Sequence, residues 1–198
     1  HKSFRPITSI TLRWNFQRVG LNPYEFHLTN AALHMVACLL VVPATWLALG
    51  GFDGDGPGSD AVAHTALVTA LLFAVHPVHS EAVENVTGRA EVLMAIFFLG
   101  GFIVFAATVS RAPRAPAGTW PAALPGPAVV VGSLVMLGCT TLALLSKEMG
   151  ATLPMLCAFW DFFSVHRLSL RHLVLLLSGE DAPPPPATSA APAPAPGR

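Results

Sequence analysis

Long apolar runs separated by short polar connections limit most strongly what this chain can fold into. A helix of roughly 20 apolar residues crosses a bilayer core about 30 Å thick. Five runs reach that length or approach it with flanking residues: Leu28–Leu49, Ala61–Val75, Val92–Val109, Pro127–Leu145 and Ala151–Val165. We therefore predict an all-α, polytopic membrane protein with about five transmembrane helices.

The composition argues against an ordinary soluble domain. Of the 198 residues, 53% are hydrophobic and 11% are charged, whereas a typical soluble domain carries about 25% charged residues. The formal net charge is zero, which argues against nucleic acid as a partner. Three cysteines lie within apolar runs and show no metal-binding or disulfide spacing, so we interpret them as small buried apolar side chains.

Three regions follow from this pattern. Residues 1–27 are predicted to be the end of a polar loop followed by a helix at the membrane interface, and residues 28–178 a multi-spanning region. Residues 179–198 form a Pro/Ala-rich tail that we expect to be extended and unpacked. The chain begins at His1 without an initiator methionine, and we take it to be a partial chain.

Basic residues on the two sides of the membrane give conflicting indications of orientation, because Lys and Arg favour cytoplasmic loops. One side carries Arg111, Arg114, Arg167 and Arg171, and the other carries Lys2, Arg5, Arg13 and Arg18. The stretch TSITLRWNFQR (8–18) is preceded by Ile7 and spaces Ile10 and Trp14 as in an amphipathic helix with its apolar side in the lipid. Its arginines would then be available to a ligand or lipid phosphate, so we prefer the orientation in which the Arg111 side is cytoplasmic.

Three polar stretches fall on the same, non-cytoplasmic side because successive spans alternate in direction. They are HKSFRP (1–6), VHPVHSEAVENVTGRAE (75–91) and LLSKEMG (144–150). Ionisable groups this close to lipid usually lie against other polar groups. We therefore interpret residues 75–91 as one polar wall of a cavity at the membrane surface. The alternative is a solvated surface helix with internal ion pairs.

Residues 80–91 contain no helix breaker apart from Gly88, so we predict a helix there. Three glutamates lie near one stripe of this helix: Glu81, Glu84 and Glu91. Arg89 is offset from the stripe, but its long side chain reaches toward Glu81 or Glu84. His76 and His79 have a spacing that permits metal binding together with Glu81. Because a proline separates them, we favour hydrogen bonding or substrate contact.

Four cations share this side of the membrane and together can neutralise a phosphate or diphosphate. They are Lys2, Arg5, Arg89 and Lys147. The alternative for Lys147 and Glu148 is an interfacial pair whose charged ends extend toward water. Asp161, in the last apolar run, is either a functional intramembrane carboxylate or a residue that extends to the cytoplasmic interface.

The order of HKSFRP, GLNPYEFHLTNAALH, LLFAVHPVHSEAVENVTGRAEVL and LLSKEMG resembles the transmembrane and tetratricopeptide-repeat (TMTC) family over residues 1–165. That family is regarded as protein O-mannosyltransferases of the endoplasmic reticulum membrane. The resemblance implies a GT-C-like glycosyltransferase membrane region and dolichyl-phosphate mannose as the lipid-linked donor. It implies Ser and Thr hydroxyls of secretory-pathway proteins, cadherins among them, as acceptors. We expect membrane lipid as a further partner and no divalent metal or other cofactor.

The resemblance also suggests roles for the polar residues. The donor phosphate would be bound by Lys2, Arg5, Arg89 and Lys147. Contacts to the sugar or acceptor, or support of the cations, would come from His76, His79, Glu81, Glu91 and Glu148. The family's acidic catalytic residue lies just before the HKSFRP-like motif, so we expect the base upstream of His1 and expect this chain alone to be inactive. We find no 34-residue helical period typical of tetratricopeptide repeats.

Two other classes of protein remain as alternatives, a transporter or channel fragment and a non-catalytic membrane scaffold. Ionisable residues within spans mark ion pathways, but here they gather at the ends of the spans, with Asp161 as the exception. We see no inverted symmetry between sets of spans of the kind typical of transporters. His34 and His64 lie within or beside spans, and we interpret them as packed or interfacial side chains.

Overall fold

A computed structural model describes residues 4–51, 59–112 and 125–165, and these residues form helices and connecting turns without any β-strand. Within them the α-helices are α1 (Pro6–Val19), α2 (Pro23–Ala48), α3 (Ser59–Val75), α4 (Val78–Glu84), α5 (Arg89–Ser110), α6 (Pro127–Ser146) and α7 (Leu153–Trp160). The predicted all-α class is confirmed. Lys2 and the predicted tail at 179–198 lie outside the described residues.

Three helical segments are long and apolar enough to cross a membrane: Pro23–Ala48, Val86–Ser110 and Pro127–Ser146. A fourth crossing exists if α3 and α4, whose axes are bent by 60° at a short break, count as one span. The chain therefore has three to four candidate spans within the described residues.

The predicted run Ala151–Val165 is not among these candidates. It consists of the end of a 3-10 helix (Glu148–Thr152), the short helix α7 and a π-helical turn (Asp161–Val165). Pro154 lies in the first turn of α7, where the missing N–H of a proline is tolerated. Its continuation beyond residue 165 lies outside the described residues.

Proline residues begin several of the helices, and a glycine ends α1. Pro6, Pro23 and Pro127 each occupy the first position of a helix, where the ring fixes a helical φ and no hydrogen bond is lost. The Asn22 side chain caps α2 by accepting a hydrogen bond from the Tyr24 N–H at 3.2 Å. Gly20 ends α1 at a φ of +64°, which few other residues adopt without strain.

The central helix is α5, which packs against α2 on one side and α6 on the other. Between them lies a core that includes Phe102, Phe105, Ala106, Met136 and Leu153. Small residues allow α5 and α6 to approach closely, as is common between membrane helices. The opposite faces of α3 and α6 expose large apolar side chains such as Leu71 and Leu134. Such exposed apolar faces are expected of helices in contact with lipid.

A helix, α1, is present where the sequence predicts one at the membrane interface, and its position at the interface stays a prediction. Its apolar residues Ile10 and Trp14 are 66% and 54% exposed. Its opposite face carries Thr8 and Asn15, which are buried against the bundle. The sequence pattern therefore located the exposed apolar side, whereas the packed polar side was not anticipated.

The contact between α5 and α6 yields a prediction about two glycines of α6. A Cβ atom added to Gly132 would lie 2.8 Å from the Cβ of Thr108, whereas one added to Gly138 would meet nothing within 4 Å. We expect Gly132→Ala to lower the free energy of unfolding by roughly 1–3 kcal/mol because overpacking separates the helices. Gly138→Ala should be neutral or slightly stabilising, since alanine favours helix. An SDS titration of the purified variants measures both, and equal effects would contradict the packing described here.

Candidate functional site

A cavity of about 540 Å³ lies where the start of α1 meets α2, the end of α3, α4 and the start of α5. Its polar wall includes Arg5, His34, His79, Glu81, Asn85 and Glu91. Its apolar wall includes Phe73, Val92 and Met94. Four of the residues predicted from sequence to form a site, namely Arg5, His79, Glu81 and Glu91, thus line one cavity.

Two ion pairs join the three polar stretches of the chain around this cavity. The Nη2 group of Arg5 donates to both carboxylate oxygens of Glu148, at 3.0 and 3.2 Å. The Nζ group of Lys147 pairs with Oε1 of Glu91. Because these residues come from stretches 1–6, 75–91 and 144–150, the structure brings all three stretches to the same end of the bundle.

The charges at the cavity are only partly compensated. The Nε–H of Arg5 is buried and has no hydrogen-bond partner in the described part of the chain, which leaves a donor for an anionic ligand. The Glu81 carboxylate lines the cavity without an ion pair to any described residue. A hydrogen bond from its own backbone lowers the pKa of Glu148, and Arg5 and Lys147 lower that pKa further. Glu148 is therefore ionised and can hold Arg5 in place.

Aromatic rings cover one side of the cavity. The ring of His79 lies 4.1 Å from that of Phe73 and 5.1 Å from that of His34, between centroids. His76 is not among the cavity-lining residues, although its ring meets that of His79 edge-on at 6.1 Å between centroids. Its Nδ1 accepts a hydrogen bond from the Val78 N–H at 3.2 Å and stabilises the turn between α3 and α4. Within the described residues, no three His, Cys, Asp or Glu side chains are grouped closely enough to hold a metal ion.

The helix predicted over residues 80–91 is broken, and the predicted stripe of glutamates is divided. Asn85 is extended, and its Oδ1 accepts hydrogen bonds from the N–H and hydroxyl of Thr87 at 3.0 and 2.8 Å. A Cβ on Gly88 would lie 2.8 Å from the Ala82 Cα, so this turn requires glycine. The break separates Glu91 from the other two glutamates, which remain together in α4. Glu81 lines the cavity, whereas Glu84 lines a separate groove with Tyr24 and His27.

Arg89 is fully buried and is not among the cavity-lining residues. The sequence suggested that its guanidinium reaches toward Glu81 or Glu84, but it forms a hydrogen bond with neither. Four oxygens of α1 and α2 accept its hydrogen bonds instead: Asn30 Oδ1 at 2.7 Å, Asn15 Oδ1 at 2.9 Å, Thr11 O at 3.1 Å and Phe26 O at 3.2 Å. Its contact with a donor phosphate stays a prediction, and this burial argues for another role.

Sequence reasoning missed the two asparagines that hold Arg89. Asn30 lies inside an apolar run, and a polar residue within a predicted span is a signal that could have identified it. Asn15 lies in a polar stretch and gives no such signal. Asp161 is half-buried in the last described turn and is not among the residues lining the cavity.

Curated proteins similar to this chain bear the name protein O-mannosyl-transferase. Tmtc3 of Drosophila melanogaster is 38% identical over 188 residues, covering 87% of this chain and 19% of that protein. Human TMTC1 is 34% identical over 165 residues, covering 83% of this chain and 17% of that protein. Human TMTC2 is 33% identical over 174 residues, covering 88% and 18%, respectively. No protein-family model matches the chain, and no solved structure matches it.

These alignments extend over most of the chain and include the motif-bearing residues 75–91, although the chain spans less than a fifth of the length of these three relatives. Similarity of this extent, to several relatives that share one name, confirms the resemblance inferred from the motifs. The chain belongs to the TMTC family.

Proposed function

We propose that the cavity is part of the donor site of a protein O-mannosyltransferase that transfers mannose from dolichyl-phosphate mannose to Ser or Thr hydroxyls. The observation that carries this proposal is the meeting of Arg5, His79, Glu81 and Glu91 in one cavity at the end of apolar helices. The names of the relatives support the reaction class.

The phosphate end of the donor is assigned to the cations. The Nε–H donor of Arg5 has no partner among the described residues, and Lys147 lies beside the cavity through its pair with Glu91. Charge that develops on the departing lipid phosphate is stabilised by such fixed donors. Lys2 is assigned to the same role because it precedes Arg5 by three positions. Glu148 and Glu91 position the two cations.

The sugar end is assigned to the opposite polar wall. Glu81 supplies acceptors, and the Nδ2 group of Asn85 supplies a donor, for the vicinal hydroxyls of a hexose. The rings of His79 and Phe73 offer an apolar surface for the sugar ring. His76 supports this wall through the turn that it stabilises. The acceptor hydroxyl requires a general base, and the family resemblance assigns this base to a residue upstream of His1.

The same proposal assigns a place for the lipid chain of the donor, a membrane for the protein and a class of acceptor. Phe73, Val92 and Met94 line the cavity with apolar surface that suits the first isoprene units of a dolichol chain. We assign the protein to the endoplasmic reticulum membrane, with about five crossings, a GT-C-like arrangement and the cavity on the lumenal side. Acceptors would be secretory-pathway proteins of the cadherin type.

We predict that Arg5→Gln and Lys147→Gln each weaken binding of dolichyl phosphate roughly ten- to a hundredfold, because each removes charge-assisted hydrogen bonds worth about 1.5–3 kcal/mol. Equilibrium binding to the purified chain in lipid nanodiscs measures this effect. Arg111→Gln is the matched control, since Arg111 is exposed and follows α5 at the end opposite the cavity. Equal weakening by the control would indicate a nonspecific charge effect and would contradict the assignment.

A second prediction concerns the sugar end of the donor and compares Glu81 with Glu84. Glu81→Gln should lower mannosyl transfer by full-length protein in microsomes at least tenfold, because a hydrogen-bond acceptor for the hexose becomes weaker. Glu84→Gln should leave transfer within about twofold, because Glu84 lines the other groove. Dolichyl phosphate without the sugar should bind both variants as it binds the wild type. Similar transfer by the two variants would remove Glu81 from the sugar site.

A further inference from the structure

We propose that Arg89 is a positioning residue that, through Asn15 and Asn30, holds α1 and the end of α4 in place as two walls of the cavity. This inference rests on the proposed function for its consequence in catalysis. Its geometric basis is independent of that function.

The first step is the geometry of the Arg89 node, which consists of Arg89, Asn15 and Asn30, all buried. Arg89 begins α5, Asn15 belongs to α1 and Asn30 to α2. The guanidinium donates to both asparagine Oδ1 atoms and to two backbone carbonyls. Its centre lies 5.7 Å from the centroid of the Phe26 ring. One side chain thus joins three helices.

The second step is the direction of the two amides. Asn30 turns its Nδ2 toward the Val83 and Asn85 carbonyls, at 3.2 and 3.1 Å. Asn15 turns its Nδ2 toward Thr29 Oγ1, at 2.9 Å. Both Oδ1 atoms therefore remain for Arg89, and flipping either amide would place donors against donors. The node consequently extends from α1 to the carbonyls at the end of α4.

The third step connects the node to the cavity. Arg5 immediately precedes α1, while Glu81 and Asn85 lie within and just after α4. These residues line the cavity, whereas Arg89 does not. The guanidinium therefore acts on the site through the segments that it holds.

The fourth step is the requirement for arginine. All four acceptors are neutral oxygens, so in the part of the chain that the structure describes the node has no carboxylate among its hydrogen-bond partners. Removing the guanidinium would leave the Oδ1 atoms of Asn15 and Asn30 without a donor among the described residues, at a cost of about 1–3 kcal/mol for each group. The Thr11 and Phe26 carbonyls would keep the hydrogen bonds that they make within α1 and α2. Lysine keeps the charge, but a compact ammonium with three donors does not reproduce the planar fork that spans two helices.

The test compares Arg89→Lys and the milder Asn15→Ala with Arg111→Gln as control. Hydrogen–deuterium exchange of the chain in nanodiscs should be at least tenfold faster in α1 and in residues 83–88 for Arg89→Lys. Asn15→Ala should show a smaller increase in α1, although it does not line the cavity. The control should match the wild type.

Donor kinetics of the full-length protein separate positioning from general instability. A smaller folded fraction lowers the maximal rate at an unchanged donor KM, whereas displaced walls raise the donor KM, and we expect at least a tenfold rise for Arg89→Lys. Weaker dolichyl phosphate binding with unchanged exchange in α1 would make Arg89 a direct ligand and overturn the inference. Faster exchange with an unchanged donor KM would overturn it as well, by leaving a purely structural role.

The proposed function can fail separately. If the wild-type chain binds no dolichyl phosphate and the full-length protein transfers no mannose, the donor-site assignment is wrong. The exchange measurement still decides whether Arg89 holds α1 and the end of α4, since it requires no ligand.

Discussion

The cost of burying a charge governs the arrangement of this end of the bundle. A guanidinium taken out of water must have its N–H groups satisfied, and an ion pair is the usual solution. Here two asparagine amides and two backbone carbonyls accept its hydrogen bonds. Because these acceptors belong to α1 and α2 while Arg89 begins α5, satisfying one side chain determines how three helices meet.

The cavity depends on this arrangement and on local breaks in the helices. The axes of α3 and α4 differ by 60°, and the backbone is extended at Asn85. Both glutamates lie in α4, between these two breaks. With α4 set at this angle, Glu81 lines the cavity together with Arg5, and Glu84 lines the other groove. A carboxylate and a guanidinium therefore face a space large enough for a small polar ligand.

The sequence predicted the helices and the shared polar end for identifiable physical reasons. Apolar runs of bilayer length leave little alternative to helices, and alternating direction brings Arg5, Glu91 and Lys147 to one end. The partners of Arg89 were beyond such reasoning, because they depend on the rotation of each helix about its axis. The break at Asn85 had local signals, an asparagine followed by Gly88, but the spacing of the glutamates was given more weight.

The neutral partners of Arg89 have an electrostatic consequence. An arginine side chain stays protonated throughout the physiological range, and salt screens a buried charge much less than an exposed one. Its hydrogen-bond partners among the described residues are neutral oxygens, so no ion pair within this group offsets its charge. Arg89 therefore adds a constant positive contribution to the field at the end of the bundle near α1, and a contribution of this sign attracts anionic groups before direct contact.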